Sequence, residues 1–449
     1  MHRKKTISFG ILTSRDGYYF WKVISMSENN YTKRFSTLCR NKANDRYRIS
    51  EIYSMHERTE TEICNAIKSK STLLFIAAHE VIEYCKNKNI PYGNGFSSKF
   101  HLLAYYLGIS EVNPLPCHYE CSCGNFEWVR PRPYFDFYET DADGFDMPNK
   151  ECPFCKKTMH GDGHNLPENE DEIHSINIPV KTQFKDEITA HLKEKFNGFN
   201  VRNLKHVDKD NITHELKYSL SVMPAECELP DDCFTEPIPY GILVLSDYEP
   251  LANLTLLSQT TDTDLSSINF NDSKIYESFY HYEDDAMCCD CAAYGHLELP
   301  VDFFVFEKAA NFSDFVRRLG ILKFLNHLPE KSHDSILGGW ESKGCQNKRV
   351  PINQVPYCIE EFIDTLAINY FDNKEISKII AAGKSGKPAS KFIAENYVQW
   401  FRDLADNCRY LDNKQNLISE AMEIYRTQYF AENYPVKFLK YKLNKMNKS

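Results

Sequence analysis

The stretch Ser110-Glu111-Val112-Asn113-Pro114-Leu115-Pro116-Cys117-His118-Tyr119-Glu120-Cys121-Ser122-Cys123, continued by Cys152-Pro153-Phe154-Cys155, decides how this chain is read. The two cysteine pairs flank an aromatic and acidic insert ending Gly144-Phe145-Asp146-Met147-Pro148. Paired cysteines at this separation, one pair within Cys-Pro-x-Cys, have the spacing of a tetrahedral zinc site with Cys121, Cys123, Cys152 and Cys155 as ligands. The first knuckle is one residue shorter than the usual Cys-x-x-Cys, so Cys117 or His118 stands as an alternative ligand. Four thiolates leave no position open to water, which makes the expected zinc structural. The competing reading is four buried thiols.

Outward from this stretch, the totals bound the class. At 449 residues there is room for two or three domains. With 42% hydrophobic and 26% charged residues the chain reads as globular, not disordered. A net charge of -10 argues against a surface built throughout to clamp nucleic acid, although Arg40 to Arg48 and Lys437 to Lys448 are locally basic. Sixteen cysteines, with no apolar run after Met1-His2-Arg3-Lys4-Lys5, point to a reducing cytoplasm. The run Leu73 to Ala78 is too short to span a bilayer, so no membrane partner is expected.

Residues 1–50 alternate polar and aromatic positions and suggest a short sheet or a divergent N-terminal element. Residues 58–88 carry helical periodicity broken at Ser71, and a helix is expected over 99–107, closed by Gly108. Residues 174–180 and 240–245 read as strands, 184–196 as a helix, and 201–236 and 250–275 as loop. A further strand is expected at 301–306. Helices are expected at 312–326, 358–372, 375–382, 390–406 and 415–431. Gly93, Gly95, Ser97 and Ser98 precede a helix, where backbone N–H groups can cradle a phosphate, but a plain loop is the preferred reading of these residues alone.

The ordered set Ile109 to Pro116, His118-Tyr119, the cysteine pairs, Gly144 to Pro148 and Asp162-Gly163-His164 resembles PolC-type DNA polymerase III alpha subunits. Thinner similarity continues through Tyr240 to Asp247 and into 312–315, 358–371 and 408 onward. The family's PHP domain, exonuclease and C-terminal regions have no counterpart in this sequence. The resemblance implies an α+β fold: a polymerase palm of nucleotidyltransferase type over 58–310 with a zinc-binding insertion at 113–165, then a helical fingers-like region over 311–449. Residues 1–57 are the divergent N-terminal element.

The resemblance breaks down where chemistry is expected. Polymerases hold two Mg²⁺ ions about 3.5–4 Å apart on carboxylates. Two of the family's aspartates correspond to Ser175 and Asn177, and the third to Ala292. Asp290 lies two residues away, and Glu170, Asp171, Glu172 and Asp186 are the other acids near the strand. The phosphate loop Gly93, Gly95, Ser97, Ser98 lacks the family's arginine. Arg409 and Lys414 retain two basic positions implied to contact nucleic acid, whereas Asn416 replaces a histidine. A neutral side chain brings no charge to a metal, so catalytic Mg²⁺ is not expected.

The expectation is a catalytically inactive PolC-like pseudopolymerase that binds a replication protein or nucleic acid. The alternatives are a reduced nucleotidyltransferase with relocated carboxylates and a polymerase-mimicking inhibitor. Cys288, Cys289 and Cys291 are read as small apolar residues of a strand, in preference to a second metal site or a nucleophile paired with His281 or His296.

Overall fold

A computed structural model describes residues 12–14, 17–19, 30–47, 53–97, 102–129, 143–166, 175–207, 213–224, 240–248, 250–279, 309–329 and 355–446. The expected strand at 301–306 and the cysteines at 288–291, with Asp290 and Ala292, lie outside these residues.

The chain is α+β. Strands β1 (Leu12–Ser14) and β2 (Gly17–Tyr19) form a small hairpin. Helices α1 (Asn30–Tyr47), α2 (Tyr53–Lys68) and α3 (Thr72–Lys88) follow. The β1–β2 hairpin is a short sheet of the kind expected within residues 1–50, and α1 is a helix that expectation did not include. This helix buries Phe35, Cys39, Ala43 and Tyr47, a four-residue spacing that the alternating aromatics upstream obscured. Ser71 does divide the next two helices.

β3 (Phe96–Ser97) and α4 (Leu102–Tyr106) lead to a second sheet built from β4 (His118–Glu120), β5 (Phe126–Trp128), β6 (Lys150–Glu151) and β7 (Thr158–Asp162), in the order β5-β4-β7-β6. The largest sheet adds β8 (Ser175–Val180), β9 (Phe199–Val207), β10 (Thr213–Pro224) and β11 (Ile242–Asp247) to β3, ordered β3-β8-β11-β10-β9. Between β8 and β9 runs α5 (Thr182–Lys195). β8 and β11 are parallel, whereas β3, β9 and β10 pair antiparallel with their neighbours.

β9 and β10 pair antiparallel where loop was expected over 201–236, and residues 208–212 and 225–236 of that range lie outside the described residues. The outer strand, β9, buries few side chains, so its polar sequence hid it. Residues 250–275 also depart from the expected loop: α6 (Leu254–Thr261) and α7 (Ser273–Glu277) lie there. The segment is rich in Thr, Ser and Asp, which suggested loop, but polar residues here serve as helix caps. Asn253 accepts from Leu256 N and Asp272 from Lys274 N. The remaining helices are α8 (Phe312–Leu325), α9 (Ile359–Ile368), α10 (Asn373–Lys384), α11 (Gln399–Asp406), α12 (Lys414–Asn433) and α13 (Pro435–Met446).

Two apolar cores result. One packs α1 to α5 against Ile176, Ile178, Val180, Leu220, Val222, Leu243 and Leu245 of the large sheet. The other gathers α6 to α13 and takes Val112 and Leu166 from the cysteine segment. Phe145 stacks on Phe270 (4.4 Å, 3°) and meets Phe312 edge-on, so the Gly144–Asp146 turn joins the small sheet to the helical core. No helix among the described residues is long and apolar enough to cross a membrane.

Candidate functional site

The small sheet brings the two cysteine knuckles face to face. The four sulfurs lie within 4.8 Å of one another, with Cys121–Cys155 at 3.4 Å and Cys123–Cys152 at 3.7 Å. Zn–S bonds of about 2.3 Å place tetrahedral sulfurs about 3.8 Å apart, so the set suits that ion. Each knuckle turns through a left-handed residue, Gly124 (φ 84) or Lys156 (φ 65). Burial opposes ionisation of Cys152, but the backbone N–H groups of Cys155 and Phe154 outweigh it and lower its pKa to about 6. Cys155 is pushed up to about 12: the Lys157 N–H favours its thiolate, but burial and the other three sulfurs oppose it. Without a cation the four cannot all be thiolates. Cys117 and His118 lie outside the set. Cys117 Sγ donates to Gly163 O at 3.6 Å, and His118 Nδ1 donates to Pro116 O at 2.7 Å.

Beneath the cysteines lies a second polar cluster, centred on Asp162. Its Oδ2 accepts from Asn113 Nδ2 (2.7 Å), Tyr105 Oη (3.0 Å) and Arg46 (3.3 Å), and its Oδ1 from Gly163 N (2.7 Å). Arg46 also pairs with Glu120 at 3.0 Å. Asn113 donates to Tyr47 Oη at 2.7 Å, and Tyr47 reaches His118 Nε2 at 3.4 Å. His118, Glu120 and Asp162 have ligand-type atoms close enough for a metal. However, Arg46 already occupies the cationic position and Asp162 has four donors. Burial alone would raise Asp162, yet His118, Arg46 and the Asn113 bond hold it down, at about 2. Burial and the Asp162 charge raise Glu120 to about 7. Arg46 and Tyr47 were not singled out in the sequence; the basic run from Arg40 was the one sign of them.

A third buried contact ties the same segment to the helices. His164 Nδ1 and Asp143 Oδ2 lie 2.7 Å apart, with side chains 0% and 5% exposed. Burial disfavours a charged imidazole, but the Asp143 charge and hydrogen bond outweigh it and raise the His164 pKa. Asp146 accepts from Ser313 N at the start of α8 (3.1 Å), and burial with Asp143 nearby raises it to about 6.

The floor of the large sheet is different. β8 turns Ile176, Ile178 and Val180 into the core and Ser175 and Asn177 to the other face. There Asn177 is level with Phe96, Val244 and, one strand further, Ser219; Ser175 is level with Ile242. Ser221, Met223, Asn200 and Arg202 continue this face across β10 and β9. Among the described residues this face of the sheet has no carboxylate. Asp247 is on the core side at the strand end, bonded to Thr182 and to Lys185 at 2.8 Å. Asp186 is on α5 and accepts from Tyr218 Oη at 3.1 Å. Glu170, Asp171 and Glu172 lie outside the described residues. Asn177 Oδ1 and Ser221 Oγ are buried without a hydrogen-bond partner among the described residues.

In the glycine loop the N–H groups are already engaged. Gly93 N donates to Pro179 O (2.8 Å) and Gly95 N to Ile109 O (2.6 Å). A Cβ at Gly95 would approach Ile109 O to 2.6 Å, so this glycine serves close packing of two chain segments. Ser97 pairs with Ile176 in the sheet, and Ser98 lies outside the described residues. Helix α12 closes over the loop: Asn94 donates to Ser419 (2.6 Å), Gln415 to Ser110 (2.9 Å), and Arg426 pairs with Glu111. Lys414 starts that helix, its N–H on Glu360 (2.9 Å). Arg409 is elsewhere, exposed beside Gly386 and over the Tyr410 ring.

Residues 33–216 match the family model of the bacterial DNA polymerase III alpha NTPase domain. This region is PolC-related. PolC-type DNA polymerase III of Thermotoga maritima is 30% identical over 162 residues, 33% of this chain and 11% of that protein. The enzymes of Lactococcus lactis (28% over 169 residues, 37% and 10%) and Bacillus subtilis (26% over 151 residues, 32% and 10%) are similar to it as well. The chain thus matches about a tenth of the length of these PolC relatives. The matched region spans α1 to α5, the small sheet, and β8 with Ser175 and Asn177, but not Leu220, Val222, Leu243 and Leu245 of the first core.

Proposed function

We propose that this chain is a PolC-related pseudopolymerase, with a palm-type sheet and a zinc-stabilised insertion, that acts by binding a replication protein or nucleic acid. The reading rests on one observation above all: the sheet face bearing Ser175 and Asn177 has no carboxylate among the described residues. Two-metal phosphoryl transfer needs carboxylates to hold the ions and stabilise the attacking and leaving oxygens. The engaged N–H groups of Gly93 and Gly95 support the same reading, because a phosphate would have to displace two backbone hydrogen bonds. In the insertion, Cys121, Cys123, Cys152 and Cys155 hold a structural zinc that supplies the charge four clustered thiolates need.

Primer extension by purified protein with Mg²⁺ or Mn²⁺ tests the reading, and no incorporation is expected. Robust incorporation that Asp290→Asn abolishes would establish relocated carboxylates instead. Binding to primed DNA across a salt series separates the two partner classes. A steep loss of affinity with salt means phosphate contacts, and no binding leaves a protein partner.

A further inference from the structure

We propose that the outward face of α13 docks an acidic amphipathic helix of a partner protein. This helix has two unlike faces. Phe438, 6% exposed, enters the second core. Tyr441 Oη accepts from Asn253 N (2.7 Å), and Lys437 Nζ donates to Thr260 O (2.8 Å), fastening the helix along α6. On the other side Val436, Leu439 and Leu443 are 81%, 57% and 52% exposed. Their spacing of three and then four residues is the a-d-a seam of a two-stranded coiled coil, and the buried Phe438 and Tyr441 fall at c and f. A row of apolar side chains in this register, on a helix already anchored by its opposite face, is shaped for a second helix. The adjoining α6 also exposes Leu256, at 43%.

The charges choose the occupant. In the same register Lys440 takes e and Lys442 takes g, the positions that set partner identity across a coiled-coil seam. Residues 435–449 hold five lysines and no acid in a chain of net charge -10, which puts the remainder at -15. Two copies of α13 would place lysine against lysine along the seam, and like charges there disfavour pairing. A duplex offers no apolar surface for the two leucines and the valine. An anionic membrane would meet a three-residue row backed by a strongly acidic body. A helix with an apolar stripe edged by Glu or Asp satisfies both the seam and the lysines. The inference does not depend on loss of polymerase chemistry.

The test uses the full chain and two labelled three-heptad peptides, both with Leu at a and d, one with Glu and the other with Lys at e and g. Fluorescence anisotropy should show the Glu peptide binding at least about tenfold more tightly. Leu439→Asp with Leu443→Asp should remove that binding, with the thermal midpoint unchanged because both positions face solvent. Lys440→Glu with Lys442→Glu should reverse the preference. Equal binding of both peptides, binding of neither, or indifference to the leucine changes overturns the proposal. So does a concentration-dependent dimer in sedimentation that Leu439→Asp abolishes, which would give the seam to a second copy. Capture by phosphatidylserine vesicles that the same change abolishes would give it to a membrane and overturn the proposal equally.

Discussion

Two asparagines set apart the halves of the PolC-related region. Asn113, fully buried, donates to Asp162 and Tyr47 and accepts from Leu115 N. Asn177, on β8, has a buried Oδ1 with no hydrogen-bond partner among the described residues. Asn113 belongs to a cluster that locks α1, the small sheet and the Gly163 turn together. Asn177 sits on the sheet face turned away from that core, where Ser221 and Met223 are buried as well. A buried polar atom with partners specifies geometry, whereas one without them costs free energy and holds nothing in place. The difference teaches that the motif-rich half is organised for shape. Among the described residues, the strand where the resemblance implies aspartates has its apolar packing on the core side.

This contrast can be broken in graded steps. The largest effect belongs to the cysteine set. Structural zinc contributes about 10–16 kcal/mol in small zinc-finger peptides, so Cys152→Ser or strong chelation should unfold the small sheet. Loss of amide protection from hydrogen exchange in β4 and β7, with β8 and β11 still protected, is the expected pattern. Cobalt substitution should give the thiolate charge-transfer bands of a four-sulfur site; their absence would remove the metal from the account.

The next effect comes from the buried His164–Asp143 pair. Asp143→Ala leaves an imidazole buried without its partner and should cost about 3–5 kcal/mol in chemical denaturation. If it costs nothing, the Gly144–Asp146 turn does not fasten the sheet to the helices.

The two asparagines themselves follow. Asn113→Ala removes bonds on three sides and should cost about 1–3 kcal/mol, whereas Asn177→Leu should fall within about 0.5 kcal/mol of the parent or stabilise it. Equal costs would erase the distinction between the two halves.

The smallest effect is a pH dependence. Glu120 has a folded pKa raised to about 7, so the folded state holds its proton more tightly than the unfolded chain. Its contribution is complete below the ordinary glutamate range and is lost as pH rises through about 7. Thermal midpoints should therefore decline over that interval, and Glu120→Gln should flatten the decline. Asp162, held near 2, acts in the opposite direction: its contribution is present above the ordinary aspartate range and fades only in strong acid.

Much of this was legible in the chain. Cysteine spacing identified the four sulfurs that come together, because a metal site needs ligands in pairs on tight turns. Helical periodicity located the division at Ser71, and the apolar run at Ile242 to Leu245 located β11. The motif residues Asn113, His118, Asp162 and His164 could be recognised as a set, but their work could not. Their partners Arg46, Tyr47 and Asp143 are 21 to 116 residues away in sequence.

Only the folded chain decided the rest. The glycines left two readings, a plain loop or a phosphate cradle, and only the fold shows that the N–H groups of Gly93 and Gly95 donate to Pro179 and Ile109. The β9–β10 pair was hidden because pairing, rather than apolar pattern, holds a half-exposed edge strand. Valine and leucine in α13 give the same letters whether they face a core or solvent; the buried Phe438 and Tyr441 turn the seam outward. Spacing is a local property, and chemistry confined to one turn can be read from it. Which groups meet across a fold depends on how distant segments pack, and that is settled by the tertiary structure alone.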